Sequence, residues 1–244
     1  MLIVLSLMVL STVAMIAAGN RGTAKALPLF TFLVLLMPVR AAITLGPLFD
    51  LNMQRLFVLL LVVIYARNRE SPKDEEGQDL RWFDIPFVKL MLVNFAAMSV
   101  STIFSVNWVV SLKTLLMHAT EYYLTYVIFC ETIATTEDVE GVFNAIYAAA
   151  VVLALFAVVE SYTDWNPVSY LPNEGLRFSR EDWINTDIDR GFRPKSVFPA
   201  SHLLGAAMVL GMTFTSYILS REDLPEGKAT LAWVLLLRSP SYCQ

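Results

Sequence analysis

The sequence predicts an all-α fold, a polytopic transmembrane helix bundle, and three observations lead to this prediction. Of the 244 residues, 56% are hydrophobic and 16% are charged, with a mean hydropathy of +0.57, whereas a soluble domain carries roughly 25% charged residues. The apolar residues fall in blocks close to the roughly 20 residues that a helix needs to cross a hydrocarbon core about 30 Å thick. Apolar and polar residues do not alternate within the blocks, which favours helices over barrel strands.

Seven apolar blocks follow one another, and each is a predicted span. They are residues 1–18, 27–42, 53–66, 85–105, 109–133, 142–159 and 197–219. The count of about seven depends most on the second block, because Pro38 and Arg40 interrupt it. No Lys or Arg precedes the first block, and Arg21 and Lys25 follow it, which favours a membrane anchor over a cleaved signal peptide.

The last residues begin an eighth block that is too short to cross a bilayer. The stretch 231–237 is apolar, and Arg238 and Pro240 then end it. A half-span leaves backbone polar groups without hydrogen-bond partners in lipid, at a cost of several kcal/mol per group. The sequence therefore predicts a truncated final helix and a shortened or frameshifted chain.

This pattern divides the chain into three regions. They are transmembrane helices with short loops (1–159), a polar loop (160–195), and a transmembrane helix followed by the truncated final helix (196–244). Arg21, Lys25 and the cations between 67 and 81 fall in alternate loops and so share the cytoplasmic side. Counting spans onward places the polar loop on the extracytoplasmic side.

The polar loop ends in a cluster of cations just before an apolar helix. Arg190, Arg193 and Lys195 fall at the depth of lipid phosphates. Arg binds phosphate in two places and Lys adds a point charge, and a helix that begins near Val197 would direct its positive dipole end to the same place. The cluster suits a diphosphate on a lipid carrier. Cations also anchor membrane helices at headgroups with no other role.

A second polar group lies inside the fifth block. Thr114, His118, Glu121 or Tyr122, and Thr125 recur at steps of three and four, so they share one helix face. An ionisable pair such as His118 and Glu121 is costly in lipid and faces a bundle interior or a wet cavity. Two interpretations stay open: a seam that handles protons or binds substrate, and an interhelical hydrogen-bond pair that only fixes packing.

Several classes of site have no signal in the sequence. There is no Walker loop, no Gly-rich dinucleotide turn, no HExxH motif and no basic stripe suited to nucleic acid. Cys130 and Cys243 are too few and too far apart for a disulfide framework or a zinc cluster. His118 and His202, on separate helices, are weak evidence for a metal site. We predict no metal and no cofactor.

The residues at the end of the polar loop carry a family resemblance. The stretch RPKSVF (193–198) precedes a helix that opens with HLLG (202–205). This junction resembles that of the O-antigen ligase and O-antigen polymerase family of bacterial membrane glycosyltransferases, where an Arg-x-x-Gly-x-Phe pattern precedes a helix that opens with Leu and a small residue. Ser196 stands where the family has glycine, and His202 where it often has asparagine. Stretches beginning at Gln54 and Ser105 also look like an early helix and a middle link of that family.

The resemblance implies transfer of a glycan from undecaprenyl diphosphate to an acceptor hydroxyl, on a lipid A core sugar in a ligase or on another glycan repeat in a polymerase. Arg193, with Arg190 and Lys195, would neutralise the departing diphosphate. Glu121 and His202 are the candidates for the general base. The implied location is the bacterial inner (cytoplasmic) membrane, with several crossings and no metal. The family continues with further helices and a second loop, so the chain resembles its N-terminal portion.

A non-enzymatic membrane protein, either a small transporter or a scaffold subunit, is the alternative. Transporters show internal repeats and broken helices that meet at the midplane, and the sequence has no such repeat. Pro38 and the pair of His118 and Glu121 keep this option open. The basic loop favours the enzyme, because it places phosphate-binding residues at the surface and not at the midplane.

Overall fold

Helices make up most of the chain that the structure describes. The computed structural model describes residues 2–37, 42–44, 50–68, 85–163, 196–198 and 201–220. The helices are α1 (Leu2–Gly19), α2 (Thr23–Leu36), α3 (Met53–Asn68), α4 (Val88–Ile103), α5 (Trp108–His118), α6 (Thr125–Thr132), α7 (Thr136–Thr163) and α8 (Ser201–Leu219). A π-helical turn, Ala119–Leu124, joins α5 to α6. Each of the seven apolar blocks contains a helix, so the all-α prediction is confirmed.

The second apolar block ends earlier as a helix than its composition suggests. Met37 closes α2 with an extended backbone, φ −83° and ψ 131°. It precedes Pro38, and a proline disfavours the α conformation in the residue before it. The chain then forms two short antiparallel strands, β1 (Ala42–Thr44) and β2 (Asp50–Asn52), with Ile43 opposite Leu51. The sequence analysis did not predict this strand pair.

Helix length separates α7 from the other described helices. Of the described helices, only α7, with 28 residues, has both the length and the composition to cross a membrane. Four shorter stretches are apolar: Val9–Gly19, Thr23–Leu36, Val88–Ile103 and His202–Ile218. The segments α5, π-helical turn and α6 have 11, 6 and 8 residues and follow one another without leaving helical backbone geometry.

Contacts between α7 and α8 show that these helices run in opposite directions. The ring of Phe143 lies 4.8 Å from that of Phe214, and a Cβ on Gly211 would lie 2.5 Å from the Cβ of Ala150. Toward the other end of the pair, Leu153 shares a buried cluster with Leu204. Residue numbers therefore rise along α7 as they fall along α8.

By the same reasoning, α3 runs parallel to the α5–α6 helix. Arg55 contacts Glu121, and Tyr65 donates a hydrogen bond to Glu131; both pairs are 66 residues apart. The ends of α1 and α3 also meet, because Asn68 Nδ2 donates to the carbonyl of Gly19 at 2.7 Å. The helices α1, α3 and α5–α6 thus share one direction.

The remaining contacts complete an alternating order. Pro28 of α2 lies against Gly141 near the start of α7, and Leu36 packs on the Leu153 cluster, so α2 and α7 are parallel. Tyr123 Oη donates to Asn94 Oδ1 at 3.3 Å and Tyr126 Oη to the Pro86 carbonyl at 2.6 Å. Residue numbers therefore fall along α4 as they rise along the α5–α6 helix, so these two are antiparallel. We call the end where α7 finishes and α8 begins the loop end, and the end where α1 meets α2 the turn end.

Candidate functional site

Glu121 forms an ion pair with Arg55 of α3. Arg55 Nε donates to Glu121 Oε1 at 2.6 Å, and the side chains are 16% and 25% exposed. Arg55 Nη2 also lies 3.1 Å from Met117 Sδ. His118 takes no part in this pair: its Nδ1 lies 2.9 Å from the carbonyl oxygen of Thr114, and its ring lies 5.2 Å from that of Tyr122. The two ionisable residues of the predicted seam therefore make separate contacts.

The local sequence at the start of α3 fixes the position of Arg55. Asn52 Oδ1 accepts a hydrogen bond from the Arg55 amide at 2.7 Å, the contact of an N-cap side chain with the third helical residue. Gln54 Nε2 donates to the carbonyl of Val34 at 3.1 Å, which ties this turn to the end of α2. These two contacts hold the first turn of α3, and with it the Arg55 side chain, beside the α5–α6 helix.

Glu121 lies within the π-helical turn. Such turns are rare and often occur at functional sites, because the wider turn displaces side chains from the regular α spacing. The rise of about 1.5 Å per residue places Glu121 about 20 Å from Trp108 and about 18 Å from Ile133. The ion pair is therefore near the middle of the α5–α6 helix, at the depth where α3 begins and α2 ends.

An open groove of about 690 Å³ lies beside Glu121. Its lining consists of Pro86, Glu121, Tyr122, Thr125, Tyr126, Phe129, Cys130 and Ile133. Tyr126 Oη donates to the Pro86 carbonyl at 2.6 Å, which ties the start of α4 to this wall. Glu121 thus contacts Arg55 and also lines a groove whose surface is mostly apolar.

A second polar contact is buried at the loop end. Glu160, in the last turn of α7, is 4% exposed, and its Oε2 accepts a hydrogen bond from the Ser196 amide at 2.6 Å. Ser196 is also buried and has a φ of 53°, in the left-handed region. Val197 follows it into the cluster of Leu153 and Leu204. The described residues before and after the polar loop are joined by this contact.

The cations predicted to bind diphosphate, Arg190, Arg193 and Lys195, lie outside the described residues, as does the predicted truncated final helix. His202 is exposed in the first turn of α8. The two candidates for the general base therefore differ in depth, because His202 is at the loop end and Glu121 is near mid-bundle. Within the described ranges, no three His, Cys, Asp or Glu side chains lie close enough together to hold a metal ion.

Sequence reasoning missed Arg55 and Glu160. An arginine within an apolar helix requires a counter-ion or a wet cavity, so Arg55 was a detectable signal that its block needed a carboxylate from another helix. Glu160 was counted as the first residue of the polar loop, whereas α7 continues to Thr163. Its burial depends on the return of the chain at Ser196, which a local sequence pattern does not reveal.

Comparison with protein-family models, with curated proteins and with solved structures finds no match. The family resemblance of the junction at residues 193–205 stays a prediction.

Proposed function

We propose that the chain is part of a polytopic glycosyltransferase of the bacterial inner membrane, which transfers a glycan from undecaprenyl diphosphate to an acceptor hydroxyl at the loop end. The observation that carries this proposal is the backbone of Ser196, with its φ of 53°. The resembled family has glycine at this position, and glycine adopts positive φ without steric cost. The junction therefore has the backbone conformation for which a glycine is suited, which supports the resemblance.

The helix directions and the apolar surface support the membrane part of the proposal. Successive crossings of a bilayer must alternate in direction, as the described helices do. On α4, Val88 is the buried residue, while Leu90, Val93 and Ile103 are 66%, 67% and 75% exposed. Large contiguous apolar surface on a soluble monomer is uncommon. Lipid chains would cover this surface in a membrane.

In the proposed reaction, the acceptor hydroxyl attacks the anomeric carbon of the lipid-linked glycan. A new C–O bond forms, the bond from that carbon to the diphosphate oxygen breaks, and the hydroxyl proton passes to a general base. Arg193, with Arg190 and Lys195, neutralises the leaving diphosphate. His202 is the better placed base, because it is exposed at the loop end whereas Glu121 is engaged with Arg55.

Arginine replacement in the loop tests this function. We expect Arg193→Ala to abolish glycan transfer in membranes that contain the protein, with unchanged insertion, because the leaving group loses its counter-charge. The matched control is Arg177→Ala, a cation of the same loop outside the cluster. Mass spectrometry of the acceptor reports transfer, and immunoblots of the membrane fraction report insertion. Transfer at the wild-type rate by Arg193→Ala would refute the assignment.

A small transporter is the second candidate function, and the Arg55–Glu121 pair favours it. The pair lies near mid-bundle at the level where α2 ends and α3 begins, and transporters build midplane sites at such breaks. Uptake of solutes by proteoliposomes tests this candidate. A transporter loses uptake in Glu121→Gln and keeps it in Arg193→Ala, which is the reverse of the pattern that the enzyme predicts for glycan transfer.

A further inference from the structure

Helix α2 ends well short of the loop end. Pro28 lies against Gly141 of α7, and the two helices are parallel, so Leu36 at the end of α2 is level with about Ala149. Apolar residues of α7 continue past that level to Val159, which is exposed. This is a further rise of roughly 15 Å at about 1.5 Å per residue. The chain therefore leaves α2 at a depth where α7 still has an apolar surface.

Helix α3 begins at a similar depth. Arg55, in its first turn, contacts Glu121, which lies about 20 Å from Trp108 at the loop end of α5. The strand β2, Asp50–Asn52, leads directly into Met53. A strand residue adds about 3.3 Å, so β2 reaches no more than about 10 Å from that level. Because β1 is paired with β2, both strands lie within the apolar length of the neighbouring helices.

The backbone of a strand pair at this depth needs hydrogen-bond partners that lipid does not supply. The sheet has two strands among the described residues, and each strand of a pair directs half of its N–H and C=O groups away from the other. The helix ends add further groups, of which Gln54 binds the Val34 carbonyl and Asn52 the Arg55 amide. Non-helical backbone at membrane depth is either buried in protein or lines a water-filled cavity.

Partial exposure of the ion pair favours water over burial. Arg55 and Glu121 are 16% and 25% exposed, and charged side chains at this depth face a bundle interior or a wet cavity, because exposure to hydrocarbon is costly. Toward the turn end, α2 and α3 are closed against each other by the buried side chains of Phe30, Phe57 and Leu61. Water therefore has its route from the loop end, beyond the ends of these two helices.

We propose that the strand pair lines a water-filled vestibule, which opens at the loop end and reaches the Arg55–Glu121 pair at its floor. A small hydrophilic molecule can then meet both charges without entering lipid. The inference rests on the membrane crossing that the proposed function includes, and it does not depend on glycan transfer.

Cysteine labelling tests for water at this depth. In a background of Cys130→Ala and Cys243→Ala, single cysteines replace in turn the strand residues Ala42, Ile43, Thr44, Asp50 and Leu51. A membrane-impermeant maleimide reacts with thiolates, which form in water and not in an apolar medium. We expect one or more of these cysteines to react from the same side of the membrane as Ser105→Cys, at least about tenfold faster than a thiol that faces lipid.

Val93→Cys is the control with a thiol that faces lipid. Tyr123 donates a hydrogen bond to Asn94, so Val93 is at nearly the same depth as Glu121. Its side chain is 67% exposed on the apolar surface of α4. This cysteine should stay unlabelled, whereas Ser105→Cys at the loop end shows that the reagent is active.

Hydrogen–deuterium exchange of the wild-type protein in liposomes serves if the cysteine variants do not accumulate. Peptides that contain residues 42–44 or 50–52 should exchange at least about tenfold faster than a peptide from residues 145–155 of α7. That part of α7 lies at a comparable depth and is hydrogen-bonded within the helix, so it is the internal control.

The outcomes distinguish the vestibule from the function. Labelling of a strand position from the side of Ser105→Cys supports it, as does fast exchange of the strand peptides. If none of the strand positions reacts, or if they react only from the opposite side, the inference is wrong; equal exchange of strand and α7 peptides also overturns it. If Asn20→Cys and Ser105→Cys react from the same side, the membrane crossing fails and the vestibule with it. Failure of glycan transfer alone refutes the enzyme and leaves the vestibule standing.

Discussion

Arg55 and Glu121 meet at 2.6 Å between α3 and the π-helical turn that precedes α6. The contact joins residues 66 positions apart in sequence, and a second polar contact of the same separation, Tyr65 with Glu131, lies further along the same two helices. Because both pairs are separated by the same number of residues, they determine the direction and the register of α3 against the α5–α6 helix. A helix that slid by one turn would break both of them.

The ion pair should be coupled energetically. We expect Arg55→Ala or Glu121→Ala to lower the free energy of unfolding by about 1–2 kcal/mol, because each removes the attraction between these two partly buried charges. The double variant Arg55→Met with Glu121→Met should cost less than the sum of Arg55→Met and Glu121→Met alone. Unfolding in mixed micelles by added SDS measures each value. Additivity within roughly 0.5 kcal/mol would contradict coupling between the two residues.

Much of the helical framework was predictable from composition. Seven apolar blocks became seven helical segments, because the backbone of such blocks is best satisfied by local hydrogen bonds. The end of α2 was also within reach, since Pro38 disfavours helical backbone at Met37. The predicted second block extended to Ala42 because the prediction followed hydrophobicity and gave too little weight to Pro38.

The candidate site was less predictable, for a physical reason. Steps of three and four suggested that His118 and Glu121 act together, but helix spacing says only that two residues share a face, not which neighbouring helix they meet. Glu121 meets Arg55, and His118 contacts its own helix. The π-helical turn at Ala119–Leu124 also changes the spacing locally. No residue type in that stretch predicts a π-helical turn.

Close approach of α7 and α8 at Gly211 gives a second prediction. A Cβ at this position would lie 2.5 Å from the Ala150 Cβ, well inside van der Waals contact, so Gly211→Ala should destabilise the protein by about 1–3 kcal/mol. Gly205 is the matched control on the same helix, because a Cβ there meets nothing within 4 Å.

Gly205→Ala should therefore be neutral or stabilising by up to about 1 kcal/mol, as expected when glycine leaves a helix interior. Adding Ala150→Gly should recover most of the loss in Gly211→Ala, because it removes the atom that collides. Thermal unfolding in a fixed detergent reports all four proteins. Equal melting temperatures for Gly211→Ala and Gly205→Ala would show that α7 and α8 are not in close contact there.

The left-handed backbone of Ser196 gives a third prediction. With φ at 53°, Ser196→Gly relieves steric strain and should stabilise the protein by up to about 1 kcal/mol, less the greater entropy of glycine in the unfolded chain. Ser196→Val should destabilise it by more than about 1 kcal/mol, because a β-branched residue is least tolerant of positive φ. Unfolding midpoints that follow the opposite order would argue against this backbone conformation.

The alternating helix directions give a fourth prediction, which concerns the membrane itself. Asn20 and Thr135 lie at the turn end, and Ser105 and Tyr162 at the loop end. If the helices cross a bilayer in this order, the two ends face opposite compartments. Single cysteines at these four positions, in a background of Cys130→Ala and Cys243→Ala, can be labelled with a membrane-impermeant maleimide in intact cells and in inverted vesicles.

We expect Ser105→Cys and Tyr162→Cys to react from the extracytoplasmic side, and Asn20→Cys and Thr135→Cys only from the cytoplasmic side, because Arg21 and Lys25 flank the turn end and cations are retained in the cytoplasm. Labelling of all four from one side would mean that the bundle does not cross the membrane. Labelling in the reverse sense would keep the crossings and invert them. The Glu160–Ser196 contact would then face the cytoplasm, away from the compartment that the proposed transfer requires.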